Sequence, residues 1–233
     1  MLDYEYYLED FLKNIYETSM SSNDGGMSSP DMFTLFIALK KIKPALVIES
    51  GVWNGWSTKL IRKSVAPDCK IICLDPREIP KEGFRDTNLN TIYYTGKDFI
   101  DFKNLDLNSP LHYIPKDLKT LAFFDDHIDV MQRLEECKEK NFQHLFFNDN
   151  YPVGCGSHRT LTHIFSDKKE KEKVEEMIKT QLIFPNVFKG TVKGIKTEGY
   201  LEQTSTNKEQ YWIFYNDRKA YRWNTYVELC KRF

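Results

Sequence analysis

No apolar run in these 233 residues approaches the ~18 consecutive positions that a membrane-spanning helix needs. The first residues, MLDYEYYLEDFLK, are acidic where a secretory signal is basic and then apolar. Cysteine is scarce. There are five, an odd number, and no pair of C-x-x-C motifs, which argues against a disulfide framework and a structural zinc site. Cys69 and Cys73 flank a short apolar run and read as packing residues. Charge of one sign is missing too. Lys and Arg number 33 and Asp and Glu 34, a net charge of -1, so the chain as a whole has no attraction to nucleic acid or an anionic bilayer, although a local basic patch stays open. These absences point to a soluble chain in a reducing compartment, the cytoplasm.

What is present is core material: 41% hydrophobic residues, with 16 Phe, 13 Tyr and 4 Trp. In residues 3–19, Tyr7, Phe11, Leu12 and Ile15 follow helical spacing. The segment SSNDGGMSSPD, with Gly25, Gly26 and Pro30, breaks that pattern and reads as a mobile loop. Ser28 or Ser29 then caps a helix, PDMFTLFIALKKI, with Pro30 in its first turn.

Strand-like and helical segments alternate after that. ALVIES, KIICLD, TIYYTG, LKTLAFFDD and QHLFFND read as strands; GWSTKLIRKSV and HIDVMQRLEECKEKN read as helices. This rhythm predicts an α/β fold, a doubly wound and mostly parallel sheet. The last third departs from it. SDKKEKEKVEEMIKT is a highly charged helix whose charges read as a solvated face, and QYWIFYND and YVELCKRF read as two late strands pairing antiparallel at a sheet edge.

In such sheets ligands bind beyond the carboxyl ends of the strands. The first of those turns lies in VIESGVWNGWST, which has the pattern E-x-G-x-x-x-G-x-S at Glu49, Gly51, Gly55 and Ser57, with Asn54 between the glycines. A glycine there permits a tight turn and close approach of a ligand. The close pair of glycines that seats a pyrophosphate is missing, as is a Walker lysine, so a ligand without phosphate is expected. Glu49 can face an ammonium group. Asp75 ends the second strand about where an acid meets ribose hydroxyls, and Gly96, Lys97 and Asp98 end the third, where an adenine edge can be read. A nucleoside carrying an amino acid satisfies all these groups. Trp53 and Trp56 line this turn or belong to the core.

Over residues 44–151 these motifs resemble the class I S-adenosylmethionine-dependent methyltransferases, VIESGVWNGWST being similar to the family's glycine-rich motif and IICLDP to its ribose-binding motif. The resemblance implies a Rossmann-like sheet and S-adenosylmethionine as cofactor, bound by Glu49, Gly51, Asn54, Gly55, Ser57, Asp75, Gly96, Lys97, Asp98 and Asp125.

Two further motifs, LAFFDDH and HLFFNDNYP, place acids and amides directly after the fourth and fifth strands. Asp125, Asp149 and Asn150 offer hard oxygen ligands that suit Mg²⁺, with Asp126 and Asn148 as spare candidates. The pair resembles the metal-dependent O-methyltransferases of catechol type, and also the macrocin-type and cephalosporin-hydroxylase-like groups; the first register implies Asp125 as ligand and the last implies Asp126. Catechol-type enzymes carry a lysine three residues after the first aspartate, where this chain has Ile128. His127 is the substitute base, with an ordinary pKa suited to taking a proton from a hydroxyl, or else a structural hydrogen-bonding residue. His158 and His163 can reach the same rim.

The reading is a single globular unit: N-terminal helices and a cap loop over 1–43, then the methyltransferase domain over 44–233. The expected activity is O-methyl transfer, assisted by Mg²⁺, to a small-molecule acceptor, a sugar or sugar-containing intermediate ahead of a secondary metabolite. Metal-independent transfer and a catalytically silent cofactor-binding subunit are the alternatives. The stretch DDHI replaces the (Asp/Asn)-Pro-Pro-aromatic motif of amino-methylating DNA enzymes, so no nucleic-acid partner is expected, nor a membrane; a homodimer is left open.

Overall fold

Five apolar segments become the parallel part of one sheet: β1 (Leu46–Ser50), β2 (Lys70–Asp75), β3 (Thr91–Thr95), β4 (Thr120–Phe124) and β5 (His144–Phe147). They read as continuous apolar runs because both faces of a parallel sheet are covered. The computed structural model describes residues 3–16, 25–113, 115, 117–202 and 204–230. With β6 (Ile178–Ile183) and the last strand, Thr225–Leu229, the sheet has seven strands.

Between β6 and that last strand lie four short strands, β7 (Asn186–Phe188), β8 (Gly190–Val192), β9 (Ile195–Thr197) and β10 (Gly199–Leu201), so Thr225–Leu229 is β11. The β7–β10 and β8–β9 pairs form separate two-stranded sheets. The order in the main sheet is β3-β2-β1-β4-β5-β11-β6, with β11 antiparallel to both neighbours. The turn from β1 into the next helix and the turns ending β4 and β5 therefore share one rim.

The helices are α1 (Tyr4–Asp10), α2 (Ser29–Ile42), α3 (Trp56–Ser64), α4 (Val130–Glu139), α5 (Leu161–Ser166), α6 (Lys168–Glu175), α7 (Ser205–Gln210) and α8 (Trp212–Asn216). A π-helical turn, Phe11–Ile15, continues α1. Ser28, one of the two candidates in the sequence, caps α2 in a reciprocal box with Asp31. Residues 17–19 of the first expected helix and 21–24 of the expected loop lie outside the described residues, as do 231–233 at the end of the last expected strand.

One apolar cluster joins Leu8, Phe11, Phe33 and Phe36 to Val47, Phe123 and Phe146, so the N-terminal helices and the sheet bury a common face. A second, around Ile48, Phe124, Leu134, Leu145 and Val227, fills the other side. Among the described residues no helix is long and apolar enough to cross a membrane.

Two expectations for the last third are corrected. QYWIFYND is no strand: it forms α8 and its approach, with Tyr211 and Phe214 on one buried side and Trp212 exposed. Its aromatic richness imitates a strand, but Phe214 packs on Phe11 and Phe33, and that contact favours the helix over β propensity. The second late strand, β11, is real but is inserted between β5 and β6, leaving β6 at the edge. β6 itself begins inside the stretch read as the end of a charged helix.

Candidate active site

At the rim the chain departs from ordinary backbone geometry. Trp53, His127, Asp149 and Trp223 all have positive φ, between 50° and 58°. Side chains rarely tolerate this region, and such residues cluster where surrounding structure holds a functional geometry in place.

The glycine turn is built by the fold before any ligand is considered. Gly51 has φ 95°, and a Cβ there would lie 2.4 Å from the backbone oxygen of Asp125. Gly55 has φ 79°, and its Cβ would meet the carbonyl of Phe84 at 2.0 Å. Both glycines are demanded by close backbone crossings. Asn54 accepts from the Phe84 N–H through its carbonyl at 2.8 Å. Glu49 is fully buried; the hydroxyls of Ser57 and Thr58 donate to it, the latter at 2.5 Å. Burial pushes its pKa up to about 7, and its Oε1 has no hydrogen-bond partner among the described residues. An unpartnered buried carboxylate oxygen beside the turn fits the ammonium group expected there.

Asp75, expected to meet ribose hydroxyls, ends β2 and is engaged by the chain itself. It is 1% exposed, and its two oxygens accept from the N–H groups of Val52 (2.9 Å), Trp53 (3.0 Å) and Arg77 (2.8 Å). The Arg77 guanidinium adds bonds at 3.1 and 3.3 Å. Burial raises its pKa, but these hydrogen bonds outweigh that and hold it below the usual range. Asp75 latches the glycine turn to β2. Gly96, Lys97 and Asp98 form a short 3-10 turn after β3, with Lys97 and Asp98 exposed.

The acids after β4 and β5 divide. Asp125, His127 and Asp149 converge, with one ligand atom of each lying within 4.8 Å of the others. His127 Nε2 is 3.0 Å from Asp149 Oδ2. The Asn148 amide donates to Asp125 at 2.8 Å and Asp149 at 3.4 Å, while its own buried Oδ1 has no partner among the described residues. Burial, and then the charge of Asp149, push Asp125 up to about 7. Burial also raises Asp149, but the His127 hydrogen bond and the Arg222 charge bring it below the usual range. The hydrogen bond to Asp149 raises His127.

Asp126, the alternative to Asp125, lies outside the group of three, and Asn150, expected beside Asp149 as a ligand, has its amide engaged elsewhere. Asp126 binds the buried Arg133 at 2.7 and 3.1 Å and accepts from Ser50 Oγ at 2.6 Å. Asn150 is 1% exposed and donates to Thr225 Oγ1 at 2.7 Å, tying β5 to β11. Each is held by partners of its own, Arg133 and Ser50 for Asp126 and Thr225 for Asn150. His158 stacks on His127 at 5.3 Å, whereas His163 caps α5 through Thr160.

Sequence reasoning missed the residues that β11 brings. Arg222 stands 3.4 Å from Asp149 and 3.6 Å from the buried Asp31 of α2. Trp223 meets Tyr151 edge-on at 6.2 Å, and Lys193, at the β8–β9 turn, lies 3.7 Å over the Tyr151 ring. The available signal was a cation and an aromatic, Arg222 and Trp223, directly before the last strand.

The seven-strand order with an antiparallel strand inserted next to the edge can be compared with solved proteins. The chain is similar to the O-methyltransferase TomG from Streptomyces achromogenes, solved with S-adenosylmethionine, over 98% of this chain and 99% of that one, at 13% identity and TM-score 0.55. It is also similar to the O-methyltransferase from Bacillus cereus, solved with S-adenosylhomocysteine, over 97% of each chain, at 11% identity and TM-score 0.52. The chain has the O-methyltransferase fold. No family model matches it, and no curated protein matches it in sequence. At these identities the likeness is one of fold, and the site must be argued from its own residues.

Proposed function

We propose that the chain is an S-adenosylmethionine-dependent O-methyltransferase that acts on a hydroxyl of a small molecule with the help of a divalent cation. The carrying observation is the convergence of Asp125, His127 and Asp149 on the rim beside the Gly51 turn, in a chain with the O-methyltransferase fold. The donor set fits a hard cation through two carboxylates, Asp125 and Asp149. S-adenosylmethionine supplies an electrophilic methyl group. Asp125 and Asp149 would hold a Mg²⁺ ion, which would supply Lewis-acid activation of the acceptor's hydroxyl.

The chain's own residues do the rest. The Gly51 turn and Glu49 seat the amino-acid end of the cofactor. His127 donates from Nε2 to Asp149, which leaves Nδ1 to accept the acceptor's hydroxyl proton. Asp149 fixes that tautomer, and Arg222 keeps Asp149 ionised. Tyr151 and Trp223 give the acceptor an aromatic wall. A sugar or sugar-containing acceptor is supported by Ile128 standing where catechol-type enzymes have lysine, and by hydroxyl-rich ligands stacking well on aromatic faces.

A second reading makes the His127 imidazole a ligand, since it belongs to the 4.8 Å group. It favours Mn²⁺ or Zn²⁺ over Mg²⁺. Calorimetric titration with S-adenosylmethionine, with and without each cation, followed by product analysis on hydroxylated acceptors, tests both readings. Absence of cofactor binding overturns the proposal. Full transfer in EDTA overturns the metal's part in it.

A further inference from the structure

Asp75 cannot receive a ribose. Its carboxylate already accepts five hydrogen bonds, three from backbone N–H groups and two from Arg77, and it is 1% exposed. A hydroxyl pair arriving from solvent finds no free lone pair there and no path to it.

A second carboxylate stands three residues on. Glu78 is exposed, and its side chain reaches across to the end of β3. A Cβ built on Gly96 would lie 2.1 Å from Glu78 Oε1, so the carboxyl group rests directly on the face of Gly96 that a side chain would fill. Thr95 Oγ1 contacts Oε2 at 3.4 Å, a long bond that leaves most of its accepting capacity open. The register β2–β3 pairs Asp75 with Thr95, so Glu78 crosses the ends of both strands.

Arg77 sets this arrangement. Its guanidinium binds Asp75 and lies over the Trp53 ring at 4.5 Å, which pins the loop leaving β2. Glu78 follows Arg77 directly, with its carboxyl group against Gly96 and Thr95. Arg77 is spent on Asp75.

We propose that Glu78 is the residue that binds the ribose diol of S-adenosylmethionine, with Gly96 as the gap that admits it. The assignment rests on the methyltransferase reading above. A carboxylate accepts from two vicinal hydroxyls at once, one per oxygen, and a site built that way rejects an analogue lacking one of them. Asp75 in turn is a structural latch.

The test is direct binding to the full chain, read by calorimetry, with S-adenosylhomocysteine and its 2′-deoxy analogue as probes and thermal melting as the control for folding. The wild-type chain binds S-adenosylhomocysteine about tenfold or more tightly than the deoxy analogue. Glu78→Gln weakens S-adenosylhomocysteine by about the same factor, abolishes the discrimination and melts like the wild type. Asp75→Asn lowers the melting temperature but keeps the discrimination. A Glu78→Gln variant with unchanged affinity and discrimination overturns the assignment, as does a folded Asp75→Asn variant that has lost it. Failure of the wild-type chain to bind S-adenosylhomocysteine overturns the methyltransferase reading and this assignment together.

Discussion

His127 Nε2 and Asp149 Oδ2 lie 3.0 Å apart although 22 residues separate them, and both residues have φ 58°. Each follows a parallel strand of the same sheet, so β4–β5 pairing brings the two turns side by side. Holding two side-chain-bearing residues in left-handed geometry costs on the order of 1–3 kcal/mol each. The packed strands beneath supply the rigidity that maintains it.

His127→Gln removes the accepting nitrogen but keeps a polar side chain. Turnover is expected to fall by about 10²–10⁴, the range for a general base, while S-adenosylmethionine affinity stays close to wild type. Steady-state kinetics alongside calorimetry checks this; unaltered turnover takes His127 out of the mechanism.

Asp149→Ala deletes the group shared by His127, Arg222 and the cation. Cation-stimulated transfer should drop by at least about 10², with cofactor binding largely retained. EDTA should reproduce the loss in the wild type, and added Mg²⁺ should reverse it. Persistence of transfer in both conditions is the contrary result.

Glu49→Gln tests the buried carboxyl. The ordinary value of 4.5 rises to about 7 in the folded chain through burial. Between these values the folded state holds a proton that the unfolded state releases, so stability falls as pH rises from about 4.5 to 7 and then levels off. The glutamine variant lacks this contribution. It should gain on the wild type across that window by on the order of 1–3 kcal/mol and match it at lower pH. Urea denaturation at pH 4.5, 6 and 8 measures the difference, and a gap independent of pH counts against the buried, proton-binding carboxyl.

Arg133→Ala strands three acids. The guanidinium is 2% exposed and bridges Asp126, Glu136 and Asp101. Its loss should destabilise the fold by about 3–5 kcal/mol, seen as a lower denaturation midpoint. A shift within experimental error would mean that Asp126 is not held by this pair.

Local patterns carried much of the architecture. Five apolar runs, their separating turns and the Ser28 cap are legible because each depends on residues close in sequence, through strand burial on two faces or one helical turn. The same locality identified the glycine turn and the acid-rich strand ends as the rim. Which of Asp125 and Asp126 faces that rim depends on how the strand end emerges, and only the pairing of β4 with β1 and β5 decided it. Arg222 reached Asp149 because β11 slid between β5 and β6, a long-range pairing with no local signature. Asp75 reads as a ribose ligand by position, yet backbone N–H groups 22 and 23 residues away donate to its Oδ2 and Arg77 to its Oδ1. Sequence determined which groups were available. Tertiary structure decided which were already taken, because a buried carboxylate binds the nearest donors that the fold delivers.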